Sequence, residues 1–385
     1  MDTRLHGNPV PERHKEEVTQ LIKVLVVEDS PAVRELLVYL LGSDPHIQVV
    51  GTANDGEQAI AAVKRYRPDV ITMDIHMPNM DGLEATRRIM ETDPTPIVIV
   101  SGSTDPHETA TTFRAMEAGA LAVLGRPTGI GHADHEATAG ELVQTVKLMS
   151  EVKVVRRWPE TRRMTIGAAP RPVAMGLAHE PARVRIAALG ASTGGPPVLH
   201  TIFAGLPKDF PVPLVVVQHM APGFTQGFVE WLAQSSSLPV HVAKHGEPLL
   251  PGHIYVAPDE CQMKVVHGGK IALTQDEPEN GLRPSVSCLF RSVAEVYGSD
   301  AVAGLLTGMG RDGAEELRLL KEKGAVTFVQ DKDSSVVHGM PGEAIRLDAA
   351  MLVLPPEKIA AVLTNLTNHR SEKRSVIHEI QKQQD

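Results

Sequence analysis

The sequence predicts an α/β protein built from two doubly wound, parallel-sheet domains joined by a flexible linker. Three observations carry that expectation. Short apolar runs alternate with helix-length stretches in two separate series, the composition changes between the series, and acidic or nucleophilic residues follow several of the runs. A chain of 385 residues also exceeds one ordinary core and suits about two to three domains.

In the first series "KVLVV" reads as a buried strand. It is followed by "EDSPAVRELLVYLL", where Val33, Leu36, Leu37, Leu40 and Leu41 share one helical face. Ser30 and Pro31 read as the cap and the first position of that helix. "IQVVGTA", "DVITM", "PIVIV" and "GALAVLG" supply four more strands, and a last helix covers about residues 133–155. Strands that are apolar along their length belong inside a parallel sheet with helices on both faces. This domain is expected over residues 21–150, behind a charged, disordered extension at 1–20.

The composition then shifts. Residues 151–183 carry prolines and a basic cluster, "RRWPETRR", without apolar periodicity, and read as a linker. A second α/β pattern follows over residues 184–367, with strands "RIAAL", "PLVVVQ", "PVHVA", "HIYVA", "AVAGLL" and "AVTFV". It includes a hairpin turning at His267-Gly268-Gly269 and helices in "SCLFRSVAEVYG" and "GAEELRLLKEKG", the second stopped by Gly324. Residues 368–385 form a polar tail.

Composition narrows the function classes. A formal net charge of −9 argues against a nucleic-acid-binding protein. Cys261 and Cys288 make no CxxC pair, which fits a reducing compartment. The amino-terminal segment lacks the apolar centre of a signal peptide, and no run approaches the ~18 apolar residues of a membrane span. A cytoplasmic protein, not inserted in a membrane, is expected.

In an open parallel sheet, sites form beyond the carboxyl ends of the strands. Glu28 and Asp29 follow the first strand, and Asp74 follows the third, in "MDIHMPNMDG". If those strands are neighbours, three carboxylates meet. Such a cluster repels itself unless a hard divalent cation neutralises it, and all-oxygen ligation suits Mg²⁺. Ser101 ends the fourth strand and Arg126 follows the fifth. A hydroxyl and a cation beside a metal-bound carboxylate make an aspartyl-phosphate acceptor, although Asp29 or Asp74 taken singly reads better as a cap. Residues 22–127 resemble a response-regulator receiver domain, on "VVEDSP", "MDIHMPNMDG", "IVIVSG" and the cation before Pro127. The resemblance implies a flavodoxin-like fold, Asp74 as phosphoacceptor and a histidine kinase as phosphodonor. It also implies Glu28, Asp29 and the backbone carbonyl of His76 as Mg²⁺ ligands with Asp74, and Ser101 and Arg126 in support. Arg126 stands where the family has a lysine, and Val123 where it usually has an aromatic switch residue.

The second series opens on "LGASTGG". Residues 190–194 satisfy G-x-S-x-G, the strand-to-helix turn that exposes a serine Oγ, and lack the lysine and the spacing of the common phosphate cradles. His219 ends the next strand, and Asp312, in "TGMGRDGA", follows "AVAGLL". The chemistry makes Ser192 the nucleophile, His219 its base and Asp312 the orienting carboxylate, with the N–H groups of Thr193 and Met309 as oxyanion donors. Among 17 histidines, His245, His253 and His338 are rival bases, and Asp312 also reads as a helix cap.

Residues 184 to about 365 resemble the catalytic domain of chemotaxis protein-glutamate methylesterases, on "GASTGGP", "VVVQHMAPGFT", "GLRPSV", "TGMGRDGA" and "VVHGMPGEAIRLDAA". The resemblance implies a Rossmann-like α/β esterase domain with a β-hairpin and no cofactor of its own. It implies phosphorylation-regulated hydrolysis of glutamyl methyl esters, and deamidation of glutamines, on chemoreceptors, with Ser192, His219 and Asp312 as the triad. Ser287 and Gln262 replace that family's usual aspartate and histidine, at positions expected to bear on substrate fit. A non-catalytic phospho-switch and a small-ester hydrolase are the competing readings. Because both sites fall at strand carboxyl edges, the unphosphorylated receiver is expected to obstruct Ser192.

Overall fold

A computed structural model describes residues 21–103, 105–152, 154 and 184–368. The expectations for the extension at 1–20, for most of the linker and for the tail lie outside these residues.

The first domain runs β1 (Ile22–Val27), α1 (Pro31–Gly42), β2 (Ile47–Ala53), α2 (Gly56–Tyr66), β3 (Val70–Met73), α3 (Gly82–Thr92), β4 (Ile97–Ser101), α4 (Pro106–Ala118), β5 (Ala122–Gly125) and α5 (His135–Ser150). Its five strands are parallel in the order β2-β1-β3-β4-β5, so β1 and β3 are neighbours, as the carboxylate cluster requires. Val24 to Val27 are fully buried because helices cover both faces of the sheet. Helix α1 turns Leu37, Leu40 and Leu41 inward, with Val33 and Leu36 partly buried against the same cluster. Ser30 holds the cap position of α1, yet its side chain makes no capping bond. Pro31 in the first turn has no N–H to satisfy there.

The second domain runs β6 (Ile186–Ala191), α6 (Gly195–Ala204), β7 (Leu214–Gln218), α7 (Thr225–Ser235), β8 (Val240–Val242), β9 (Ile254–Val256), β10 (Gln262–Val266), β11 (Lys270–Thr274), α8 (Val286–Val296), β12 (Ala301–Leu305), α9 (Ala314–Glu322), β13 (Val326–Gln330), α10 (Gly339–Arg346), β14 (Leu352–Leu354) and α11 (Pro356–Asn368). Seven parallel strands stand in the order β14-β13-β12-β6-β7-β9-β8. From β6 the chain goes first to β7 on one side and later to β12 on the other. That reversal opens a crevice at the carboxyl end of β6, directly below Ser192. Strands β10 and β11 form the expected antiparallel hairpin. Edge strand β14, only three residues long, is an addition to the sequence reading.

Helix α4 of the first domain packs along α7 of the second. Phe113 stacks on Trp231 with ring centroids 5.6 Å apart and meets Phe228 at 5.2 Å. Glu117 accepts a 2.6 Å hydrogen bond from Trp231 Nε1, and His200 of α6 stacks on the same indole. The helices approach at Gly227, where a Cβ would lie 2.1 Å from Thr109 Oγ1 and 2.8 Å from the backbone nitrogen of Ala110. Only glycine permits that contact. Val123 packs against the same inter-domain core.

Candidate active site and phosphoacceptor site

The acidic edge of the first domain assembles as its strand order dictates. Ligand oxygens of Glu28, Asp29 and Asp74 all lie within 4.8 Å of one another. The Glu28 carboxyl, fully buried, is pushed up to about 7 by burial and then by the Asp74 charge. Burial also raises Asp74, against the opposing pull of Arg126. Arg126 Nη2 donates to both Glu28 oxygens, at 3.3 and 3.2 Å, and stands 3.5 Å from Asp74 Oδ2. Ile75 N–H holds Asp74 Oδ1 at 2.8 Å. Ser101 is buried at the end of β4, and its carbonyl accepts from Arg126 N–H at 2.8 Å. His76 lies two residues beyond Asp74, with its exposed ring 3.6 Å from Glu108. One guanidinium faces three carboxylates, two of them buried. An all-oxygen donor set with surplus negative charge fits a hard divalent cation.

At the second site, the β6–β7 register pairs Ala191 with Gln218, so Ser192 and His219 leave adjacent strands side by side. Ser192 N–H donates to Thr307 O at 3.0 Å, and Gly194, at φ 78°, turns the chain into α6. His219 Nε2 lies 3.0 Å from Asp312 Oδ2. The Asp312 carboxylate also accepts from the N–H groups of Val286, at 2.6 Å, and Ser287, at 3.1 Å, in the first turn of α8. Burial pushes Asp312 upward, but the hydrogen bond and charge of His219 and the α8 N–H groups outweigh it. The carboxyl is held below its usual range. Among the described residues, no hydrogen bond joins Ser192 Oγ to His219, a separation common before substrate binds.

The rival histidines have other side-chain partners, although His338 borders the site through the pairing of its segment with Gly308. His253 Nδ1 pairs with His241 Nε2 at 2.9 Å, His245 bonds the backbone of Leu273, and His338 Nδ1 sits 3.3 Å from Ser335 Oγ. The loop carrying Met309 passes over the nucleophile: a Cβ on Gly308 would sit 2.7 Å from that of Ser192.

Ser287 and Gln262, the positions read as bearing on substrate fit, lie on the Asp312 side of the site. Ser287 Oγ accepts from Gly313 N–H at 2.9 Å, while its own N–H holds Asp312. Gln262, buried, donates to Leu282 O and accepts from Ser285 N–H, fixing the loop that leads into α8. Sequence reasoning missed Gln218 and Thr307 altogether. Thr307 Oγ1 donates to Thr193 O at 2.9 Å and accepts from Val337 N–H at 3.0 Å. Single polar residues closing apolar strands were their only signal.

Fold and sites together define a class: a parallel-sheet α/β domain with a serine, histidine and aspartate at its crevice, carried behind a five-stranded domain with an acidic edge. Comparison with known proteins agrees. The CheB methylesterase family matches residues 187–363, and the response regulator receiver domain matches residues 24–133. A protein-glutamate methylesterase/protein-glutamine glutaminase of Nitrosospira multiformis is 67% identical over 92% of this chain and 99% of its own. One from Geobacter metallireducens is 58% identical over 90% of this chain and 99% of its own. The crystal structure of the Thermotoga maritima CheB methylesterase catalytic domain is 39% identical, covering 47% of this chain and 98% of that one, with a TM-score of 0.46. The chain belongs to the protein-glutamate methylesterase/protein-glutamine glutaminase family.

Proposed function

We propose that this protein is a phosphorylation-regulated esterase that hydrolyses glutamyl methyl esters, and deamidates glutamines, on chemoreceptors. The observation that carries the reading is the His219–Asp312 pair at 3.0 Å, set beside Ser192 by strand register. Asp312 accepts from His219 Nε2–H, which leaves the Nδ1 lone pair for the serine proton. Ser192 Oγ attacks the ester carbonyl as His219 takes that proton, and the N–H groups of Thr193 and Met309 receive the oxyanion. His219 then protonates the departing methanol, or ammonia from a glutamine. A water activated by the same imidazole cleaves the acyl-serine to a glutamate carboxylate and free Ser192.

Asp74 is the phosphoacceptor, supplied by a histidine kinase. Glu28, Asp29, Asp74 and the His76 carbonyl would hold Mg²⁺, which when bound supplies charge neutralisation at the phosphoryl oxygens. Ser101 and Arg126 would contact those oxygens. The receiver's grip on the second domain supports regulation by obstruction. Gly125 of β5 faces Ala221, two residues beyond His219, and Val336, which packs against the receiver cluster, also crowds Gly194 beside the nucleophile. No helix among the described residues is long and apolar enough to cross a membrane, which supports a cytoplasmic enzyme.

The test is methanol release from methylated receptor alongside turnover of a chromogenic small ester. Receptor hydrolysis that rises on phosphorylation is expected. Turnover of the small ester alone points to a general esterase, and turnover of neither to a binding switch.

A further inference from the structure

Gln218 is the last residue of β7, directly before His219, and is only 4% exposed. Its carboxamide nitrogen donates to two backbone carbonyls, Ser192 O at 2.9 Å and His219 O at 2.8 Å. Those carbonyls belong to the nucleophile and to its base. One side chain therefore ties together the two strand ends whose residues must react.

Peptide planarity adds a second consequence. The Ser192 carbonyl and the Thr193 N–H lie in one rigid plane and point in opposite directions. Ser192 O is held by Gln218 and also by Gly195 N–H, at 2.8 Å, so the direction of the Thr193 N–H is fixed. That N–H is the one assigned above to the oxyanion. The next carbonyl, Thr193 O, is held in turn by Thr307 Oγ1.

The rest of the amide is not at ease. Gln218 Oε1 is buried with no hydrogen-bond partner among the described residues, and a Cβ on Gly195 would sit 2.1 Å from it. A buried, unsatisfied oxygen costs stability, and an apolar side chain of the same length would avoid that cost. The position uses the two donors of the amide, not its bulk.

We infer that Gln218 is a positioning residue, which aims the Thr193 oxyanion donor at the reacting carbonyl and keeps Ser192 in register with His219. The inference rests on the esterase reading above. Gln218 acts through the backbone of its neighbours and touches no substrate.

Two variants of the full chain test it. Gln218→Met keeps the length and removes the donors. Because losing an oxyanion donor outright costs about 10²–10³ in rate, misaiming one is expected to lower kcat about 10- to 100-fold with KM within about twofold. Gln218→Glu keeps the shape but donates only when protonated. Its deficit, taken as a ratio to wild type at each pH, is expected to shrink as the pH is lowered. Wild-type kcat in Gln218→Met, a loss confined to KM, or a pH-independent deficit in Gln218→Glu overturns the inference. If Gln218→Met does not fold, the pH ratio of Gln218→Glu decides. Labelling of Ser192 by a fluorophosphonate separates this from failure of the esterase reading. Wild type that neither labels nor releases methanol from methylated receptor overturns both. Active wild type with variants that label at the same rate overturns the inference alone.

Discussion

The two domains place their chemistry at the same edge of the same kind of sheet, yet balance it in opposite ways. In the receiver, three carboxylates crowd together and Arg126 alone among the described cations stands within ion-pairing distance of Glu28 and Asp74. In the esterase domain one carboxylate, Asp312, is saturated by a histidine and two helix N–H groups. The first site is left with surplus charge and responds to what is added to it. The second has its carboxylate already neutralised by fixed partners within the fold. A shared fold therefore sets where chemistry can occur, and the residues closing each strand decide whether the site is a switch or a tool.

The largest expected effects break one half of that comparison at a time. Ser192→Ala removes the nucleophile, and loss of a triad member costs on the order of 10⁴–10⁶ in rate. Methanol release from methylated receptor measures it, with circular dichroism confirming the fold. His219→Ala is expected to come close to the same loss and His338→Ala to fall far short, since Asp312 pairs with His219. Equal losses in the two histidine variants would dissolve the distinction between base and bystander.

Asp74→Ala should abolish Mg²⁺-dependent labelling by a small-molecule phosphodonor while sparing the basal esterase rate. Label retained at full stoichiometry would move the acceptor to Glu28 or Asp29. A smaller effect is expected where the halves meet. Phe113→Ala strips a ring from the α4–α7 contact without touching either site. Contacts between domains are biased by a few kcal/mol, so the unphosphorylated rate should rise several-fold, about three- to tenfold, toward the phosphorylated one. An unchanged basal rate would mean that the receiver delivers the esterase to its substrate rather than covering it.

Arg126→Lys is expected to do least. Arg126 spans Glu28 and Asp74 with one nitrogen, and a lysine ammonium can reach the same carboxylates as a point charge. Phosphorylation should persist within about threefold, with a modestly larger activation of the esterase on phosphorylation, followed by a time course of labelled protein.

Much of this was legible in the chain. Wholly apolar runs such as "KVLVV" and "PLVVVQ" announce parallel strands, because only burial on both faces tolerates them. Once the strands are set, the residues that close them are the candidate chemistry, which is how Asp74, Ser192 and His219 could be found. What the sequence hides is whatever depends on strand order. Gln218 and Thr307 look like ordinary polar ends until β6, flanked by β7 and β12, brings them to the two sides of Ser192. Nothing in the sequence around Ser287 shows that α8 begins against Asp312. Gly227 and Trp231 carry no mark of a junction in the sequence, and only the tertiary structure sets Thr109 and Phe113 of the other domain against them.

Trp231 has an optical consequence. Its indole nitrogen is bound to a carboxylate, its ring lies against Phe113 and His200, and it is almost fully buried at the junction. Water reaching that ring would shift its ultraviolet emission to longer wavelength. The chain has just one other tryptophan, Trp158, which a Trp158→Phe substitution silences. Parting of the domains is thereby written into the protein's own fluorescence, legible in real time without an attached dye.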